Sequence, residues 1–204
     1  MSLARTPDFA AFCAAAYRHH VFDIGDADSA ARGIVQDSPV GPVLGIPGTN
    51  NIACWLADLD VNRVKSPSFG WVHEGFMNAA VSMFDEVHRI KPAIITGHSE
   101  GAALALILAG LLALADCPPV IVYAFEPPQI TTEDTLRHLL RIHNIDARLY
   151  RHGEDIVPMV PRLLHDWRHP ADLIEFGEPA LPIWNVEDHD INTVRAALEK
   201  RPDL

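Results

Sequence analysis

Cysteine is scarce in this chain: Cys13, Cys54 and Cys117 are the three in 204 residues, an odd count too scattered for a disulfide framework. The fold must therefore be held by core packing. A reducing, cytoplasmic compartment is the simplest expectation, with secretion as the alternative. Positive charge is scarce too, with 16 Lys and Arg against 27 Asp and Glu and a net charge of -11. No basic run breaks that excess, which argues against a nucleic-acid groove and against electrostatic docking on anionic membranes. Long apolar runs are missing as well. The longest, residues 102–115, falls short of the roughly 20 residues that span a bilayer, and Gly110 interrupts it. It predicts a buried core helix, and no stable membrane insertion is expected. There is no Asn-x-Ser/Thr sequon and no Gly-Lys-Ser/Thr phosphate loop.

What is present is apolar content of 49%, enough for one sizeable core, so a single domain over residues 1–204 is expected. Near the N-terminus, residues 9–17 compete as the apolar stretch of a signal sequence. Thr6-Pro7-Asp8, however, has the form of an N-cap, an N1 proline and an acidic first turn, followed by Phe9, Phe12, Cys13, Ala16 and Tyr17 at helical spacing. This predicts an amphipathic surface helix. Ile34-Val35-Gln36 and Val43-Leu44-Gly45-Ile46 are short runs bounded by turn residues, as strands are. Residues 71–73 are ambiguous. Phe76, Ala80, Met83, Phe84 and Val87 then mark a helix that stops at Pro92. Residues 93–96 and 120–125 predict further strands, 130–145 a helix, 148–151 a strand and 191–198 a closing helix. Residues 158–182 are proline-rich and expected to be mostly loop, with a candidate strand at 173–176. Strands apolar on both faces belong to a parallel sheet covered by helices. The expected class is α/β, with a mostly parallel central sheet and helices on both faces.

Gly97-His98-Ser99-Glu100-Gly101 lies between a β-branched strand and a long apolar helix. That is the setting a G-x-S-x-G nucleophile elbow requires, because a serine on so tight a turn needs neighbours without side chains. Serine is a poor nucleophile alone. A histidine must take its proton, and an acid must hold that histidine's tautomer. In this architecture the partners follow the serine, acid before histidine, which sets aside His19, His20, His73 and His88. Two acids compete: Asp155, a few residues after the strand at 148–151, and Glu126, directly after the strand at 120–125. His189, just ahead of the last helix, ranks above His165 and His169 in the proline-rich stretch.

Taken in order, Gly48-Thr49, Trp55-Leu56-Ala57-Asp58-Leu59, Val72-His73-Glu74-Gly75-Phe76, Ile95-Thr96-Gly97-His98-Ser99, Asp155-Ile156-Val157-Pro158 and Asp188-His189 resemble the class 3 lipases of the α/β-hydrolase fold. The resemblance runs from about Val43 to Leu198. It implies Ser99 as nucleophile, Asp155 as acid and His189 as base, with Glu126 demoted. It also implies an oxyanion hole from the backbone N–H groups of Thr49 and Glu100. The segment after Gly48-Thr49, residues 50–58, would form a lid in which Ile52 and Trp55 face the acyl pocket, with Trp184 a further candidate lining residue. Two departures stand out: Glu100 occupies a position where the family carries Leu, and Glu126-Pro127-Pro128 replaces a Gly-containing turn. The Glu100 carboxylate is expected to point away from the oxyanion.

Other residues have plainer expectations. His73-Glu74 begins like a zinc-protease motif, but Met77 stands where the second ligand would be. His165 and His169 are spaced like a cation pair yet fit surface or core-edge histidines better, so no metal and no cofactor is expected. Trp167 could line the acyl pocket or cover the core. His98 is expected to be a structural hydrogen-bonding residue. The reading is a serine carboxylic-ester hydrolase acting on a small-molecule or lipid acyl ester through an acyl-serine intermediate. Phospholipid or thioester hydrolysis, acyl transfer and non-catalytic acyl binding are the alternatives.

Overall fold

A computed structural model describes residues 3–26, 29–49, 51–58, 61–161, 166–178 and 185–204. Eight strands and six helices are formed among them: α1 (Thr6–Ala16), β1 (Ile34–Ser38), β2 (Gly41–Ile46), α2 (Ile52–Asp58), β3 (Arg63–Ser66), β4 (Gly70–His73), α3 (Glu74–Ile90), β5 (Ile94–His98), α4 (Glu100–Leu114), β6 (Ile121–Phe125), α5 (Thr135–Ile142), β7 (Asp146–His152), β8 (Leu173–Phe176) and α6 (Ile191–Leu198). Six strands make one sheet in the order β1-β2-β5-β6-β7-β8. The β1–β2 pair is antiparallel, and every later pair is parallel. β3 and β4 form a separate antiparallel hairpin. Every residue of β5 is buried, as a central strand of a parallel sheet is once helices cover both faces.

The two faces carry separate cores. On one, α4 is apolar all round because it packs against α3, α5 and the sheet, and Leu104, Leu106, Ile107 and Leu108 are fully enclosed. Each such side chain contributes about 1.5–3 kcal/mol by leaving water. On the other face, α1 and α6 pack against one another and over Phe125, Tyr150 and Phe176. α3 ends at Lys91, which takes a left-handed cap conformation (φ 50°) ahead of Pro92.

Three local expectations need correction. α1 is not an amphipathic surface helix: Phe9, Ala10, Phe12, Cys13, Ala14 and Ala16 are all buried between the sheet and α6. Burial also pushes the Cys13 thiol up to about 12. Its N-cap is Arg5 rather than Thr6, because the Asp8 carboxylate accepts the Arg5 backbone N–H at 2.9 Å. The helix expected over 130–145 is only α5, since Thr131 forms backbone bridges to Val72 and Arg168 and Ile130 is tied into that same pairing.

Candidate active site

β5 runs out at His98, and α4 begins one residue beyond Ser99. Ser99 carries the turn at φ 57°, ψ -126°, a conformation that costs a non-glycine residue about 1–3 kcal/mol. It is tolerated because the neighbours are stripped of side chains. A Cβ on Gly97 would collide with the Gly101 carbonyl, and one on Gly101 would lie 2.6 Å from the Pro47 oxygen. The Ser99 N–H donates to Phe125 O at 2.9 Å, fastening the turn to β6. The Ser99 side chain is buried, and Oγ has no hydrogen-bond partner.

His189 and Asp155 arrive from two loops that pair with each other. Asp155 follows β7, and Asn185 bridges to it through Asn185 N–H to Glu154 O and Ile156 N–H to Asn185 O. Asp188 reinforces the junction, its Oδ2 accepting from Glu154 N–H and from Asn185 Nδ2, both at 3.0 Å. Within that frame His189 Nδ1 donates to Asp155 Oδ2 at 2.6 Å, and Asp155 Oδ1 accepts Val157 N–H at 3.0 Å. Asp155 is wholly enclosed and His189 is 5% exposed. With Nδ1 committed to the acid, Nε2 presents its lone pair, and it has no partner in the resting site. Such bonds are often loose before substrate binds.

In the sequence Tyr17 stands out only by its helical spacing, yet it joins the site's parts. The Tyr17 hydroxyl accepts the Gly48 N–H at 2.8 Å and lies 2.6 Å from His98 Nδ1. His98 Nε2 lies 2.8 Å from the His189 carbonyl oxygen. A carbonyl only accepts, so Nε2 carries the proton and Nδ1 accepts from the phenol. Burial, with His189 adding to it, holds His98 well below the usual histidine range, and burial pushes the Tyr17 phenol up. Both groups therefore stay neutral and the direction of the chain is fixed. No sequence signal marks this contact, which spans 81 positions.

Thr49 follows β2 in the loop that Tyr17 holds. Glu100 is the first residue of α4, where amides lack intrahelical acceptors. The Glu100 side chain is half-buried, and burial raises its pKa despite the attraction of Arg32. α2 occupies the segment assigned to the lid, with Trp55 stacked on Phe76 at 6.2 Å. A cavity of about 420 Å³ opens between α1, Thr49 and the start of α6, lined by Arg18, Ile52, Val186, His189, Asp190 and Asn192 among others. Trp167 lies away from it, tilted against His73, while His73 caps α3. Trp184 and His165 lie outside the described residues, and His169 Nε2 donates to the Pro158 carbonyl at 2.8 Å. Among the described residues, Glu126, Asp155 and His189 make one group of potential metal donors, with donor atoms within 4.8 Å of one another. Of these residues, His189 and Asp155 are already joined by the Nδ1–Oδ2 hydrogen bond.

A family model described as Lipase (class 3) matches residues 43–165. Toxin TseL of Vibrio cholerae is 28% identical over 149 residues, 69% of this chain and 22% of that protein. A secreted mono- and diacylglycerol lipase of Fusarium solani is 24% identical over 141 residues, 63% of this chain and 42% of that protein. The chain thus spans less than half the length of these curated relatives. Among solved structures, the triacylglyceride lipase of Rhizomucor miehei superposes with a TM-score of 0.65 at 18% identity, covering 90% of this chain and 89% of that one.

Proposed function

The chain belongs to the class 3 lipase family, and from that premise we propose that it is a carboxylic-ester hydrolase working through Ser99, His189 and Asp155. The carrying observation is the buried 2.6 Å bond from His189 to Asp155 beside an uncommitted Nε2, on the same cavity wall as Thr49. Ser99 Oγ attacks the ester carbonyl as His189 Nε2 takes its proton, and Asp155 stabilises the imidazolium. The carbonyl oxygen becomes an oxyanion that accepts from the N–H groups of Thr49 and Glu100, each worth about 3–4 kcal/mol when preorganised. Collapse expels the alcohol, which receives the proton from His189, and leaves an acyl-serine. Water, deprotonated by the same nitrogen, then releases the acid and regenerates Ser99. Arg18, Asp190 and Asn192 make the cavity mouth polar, while Ile52 and Val186 supply apolar wall. That mixture suits a modest acyl ester.

The test is labelling by a fluorophosphonate together with turnover of p-nitrophenyl esters of graded chain length. Labelling of Ser99 and hydrolysis are expected. Ser99→Ala and His189→Ala should each reduce kcat by about four orders of magnitude or more. Folded protein that neither labels nor hydrolyses any ester overturns the assignment.

A further inference from the structure

Glu126 is an unexpected residue in an unexpected conformation. It follows β6 at φ 52°, in the left-handed region that suits glycine, and it is fully enclosed. Residues held at such angles persist where the surroundings over-determine them. One oxygen, Oε1, accepts the His152 N–H at 2.7 Å. The other, Oε2, has no partner at ordinary hydrogen-bond length, and the carboxyl faces Asp155 in a looser contact. Carboxyl oxygens of both residues and a ring nitrogen of His189 fall within 4.8 Å of one another.

Two carboxylates so close, away from water, cannot both be ionised. The hydrogen bonds decide which keeps the charge. Asp155 accepts from His189 Nδ1 and from Val157 N–H, whereas Glu126 accepts one backbone N–H. Burial first, and then the neighbouring Asp155, raise the Glu126 pKa well above the ordinary carboxylate range. The other charged groups around the pair do not reverse this. Arg151 is spent on Glu154, Glu175 and the Asp155 carbonyl at 3.0–3.1 Å, and His152 Nδ1 faces Asp188 at 3.6 Å.

We propose that Glu126 is a positioning residue of the triad: a carboxylic acid that keeps its proton at neutral pH and offers it to Asp155, so that His189 faces a carboxyl pair bearing one negative charge. The proton fixes the Asp155 carboxylate for His189. Its retention also keeps a second charge from stabilising the imidazolium so strongly that Nε2 stops acting as a base near neutrality. The inference rests on the ester-hydrolase reading for its kinetic consequence, but not for the proton itself.

The experiment compares wild type with Glu126→Gln and Glu126→Gly by infrared difference spectroscopy and by the pH profile of kcat/KM on a p-nitrophenyl ester. Glutamine can accept the His152 N–H and donate to Asp155. Glycine suits φ 52° but offers neither group, so it removes the carboxyl at a backbone that tolerates the change. The wild-type minus Gln spectrum at pH 7 is expected to show the C=O band of a protonated acid. Glu126→Gly should lose kcat on the order of 10-fold to 100-fold at little changed KM. Glu126→Gln should recover most of that loss with the acidic limb unmoved. Loss of a carboxylate band instead, an acidic limb displaced downward in Gln, equal losses in Gln and Gly, or an unimpaired Gly variant each overturn the proposal. The infrared result stands even if no ester is turned over, so failure of the proton assignment and failure of the hydrolase reading are told apart.

Discussion

Replacing Tyr17 by Phe removes one oxygen and strands two buried groups at once. The Gly48 N–H loses its acceptor and His98 Nδ1 loses its donor, two bonds now at 2.8 and 2.6 Å. A buried polar group left unpaired costs about 1–3 kcal/mol. Tyr17 lines the cavity beside Thr49, so water reaches part of the vacated space and the two penalties together come to about 2–3 kcal/mol. In a chain of this size each kcal/mol lowers the melting temperature by about 2–4 °C, giving a fall of about 4–12 °C. The kinetic effect follows from what Gly48 precedes. Deleting an oxyanion donor costs about 100-fold to 1,000-fold in kcat; on the proposed role of the Thr49 N–H, the substitution displaces that donor rather than deleting it, so kcat is expected to fall about tenfold to a hundredfold with KM nearly constant. Differential scanning calorimetry beside steady-state hydrolysis of p-nitrophenyl butyrate reads both quantities. A Tyr17→Phe variant that melts within about 1 °C of wild type with full kcat would show that the hydroxyl holds neither the loop nor the histidine.

Gly97→Ala places its Cβ against the Gly101 carbonyl and 2.8 Å from the Ala102 nitrogen, both backbone, so the elbow must move; soluble yield and circular dichroism should report gross destabilisation, and a well-folded active variant would contradict the packing described. Glu100 titrates above the ordinary range when folded. Its carboxyl therefore binds more protons folded than unfolded, and its penalty on stability is absent at low pH and grows as pH rises from about 4.3 through the raised folded value. Glu100→Gln should thus gain on wild type in urea denaturation between pH 4 and 8, with no difference below the window; an advantage that shrinks as pH rises would show the sign to be wrong.

The parts of this site that the sequence makes legible are those fixed by local rules. Ser99 is marked by its flanking glycines and by the change from a β-branched run to an apolar helix. β2, β5 and β6 are marked by apolar runs too short for helices, and β8 falls on residues 173–176 as expected. What stays hidden depends on distant partners. β3, Arg63–Ser66, is short, polar and half-exposed, and only its pairing with β4 makes it a strand. The burial of α1 depends on α6 lying over it from the far end of the chain. Between Asp155 and Glu126, the ranking by strand end is balanced, because β6 and β7 are adjacent parallel strands that deliver both carboxyls to one edge. The geometry then gives them different partners: Asp155 takes the imidazole and Glu126 takes a backbone amide.

The bridging of the Asp155 and His189 loops has a mechanical consequence. Asp155 and His189 are carried by one hydrogen-bonded block, while Ser99 belongs to another, the elbow clamped between β5, β6 and α4. The seam between the blocks is crossed by the His98 bond to the His189 carbonyl and by the ring contact of the two histidines at 4.7 Å. Warming that slackens the seam would separate serine from base while leaving the acid–base pair intact, so activity would fade before the sheet melts, and reinforcing this one joint would extend the working temperature without touching a reacting atom.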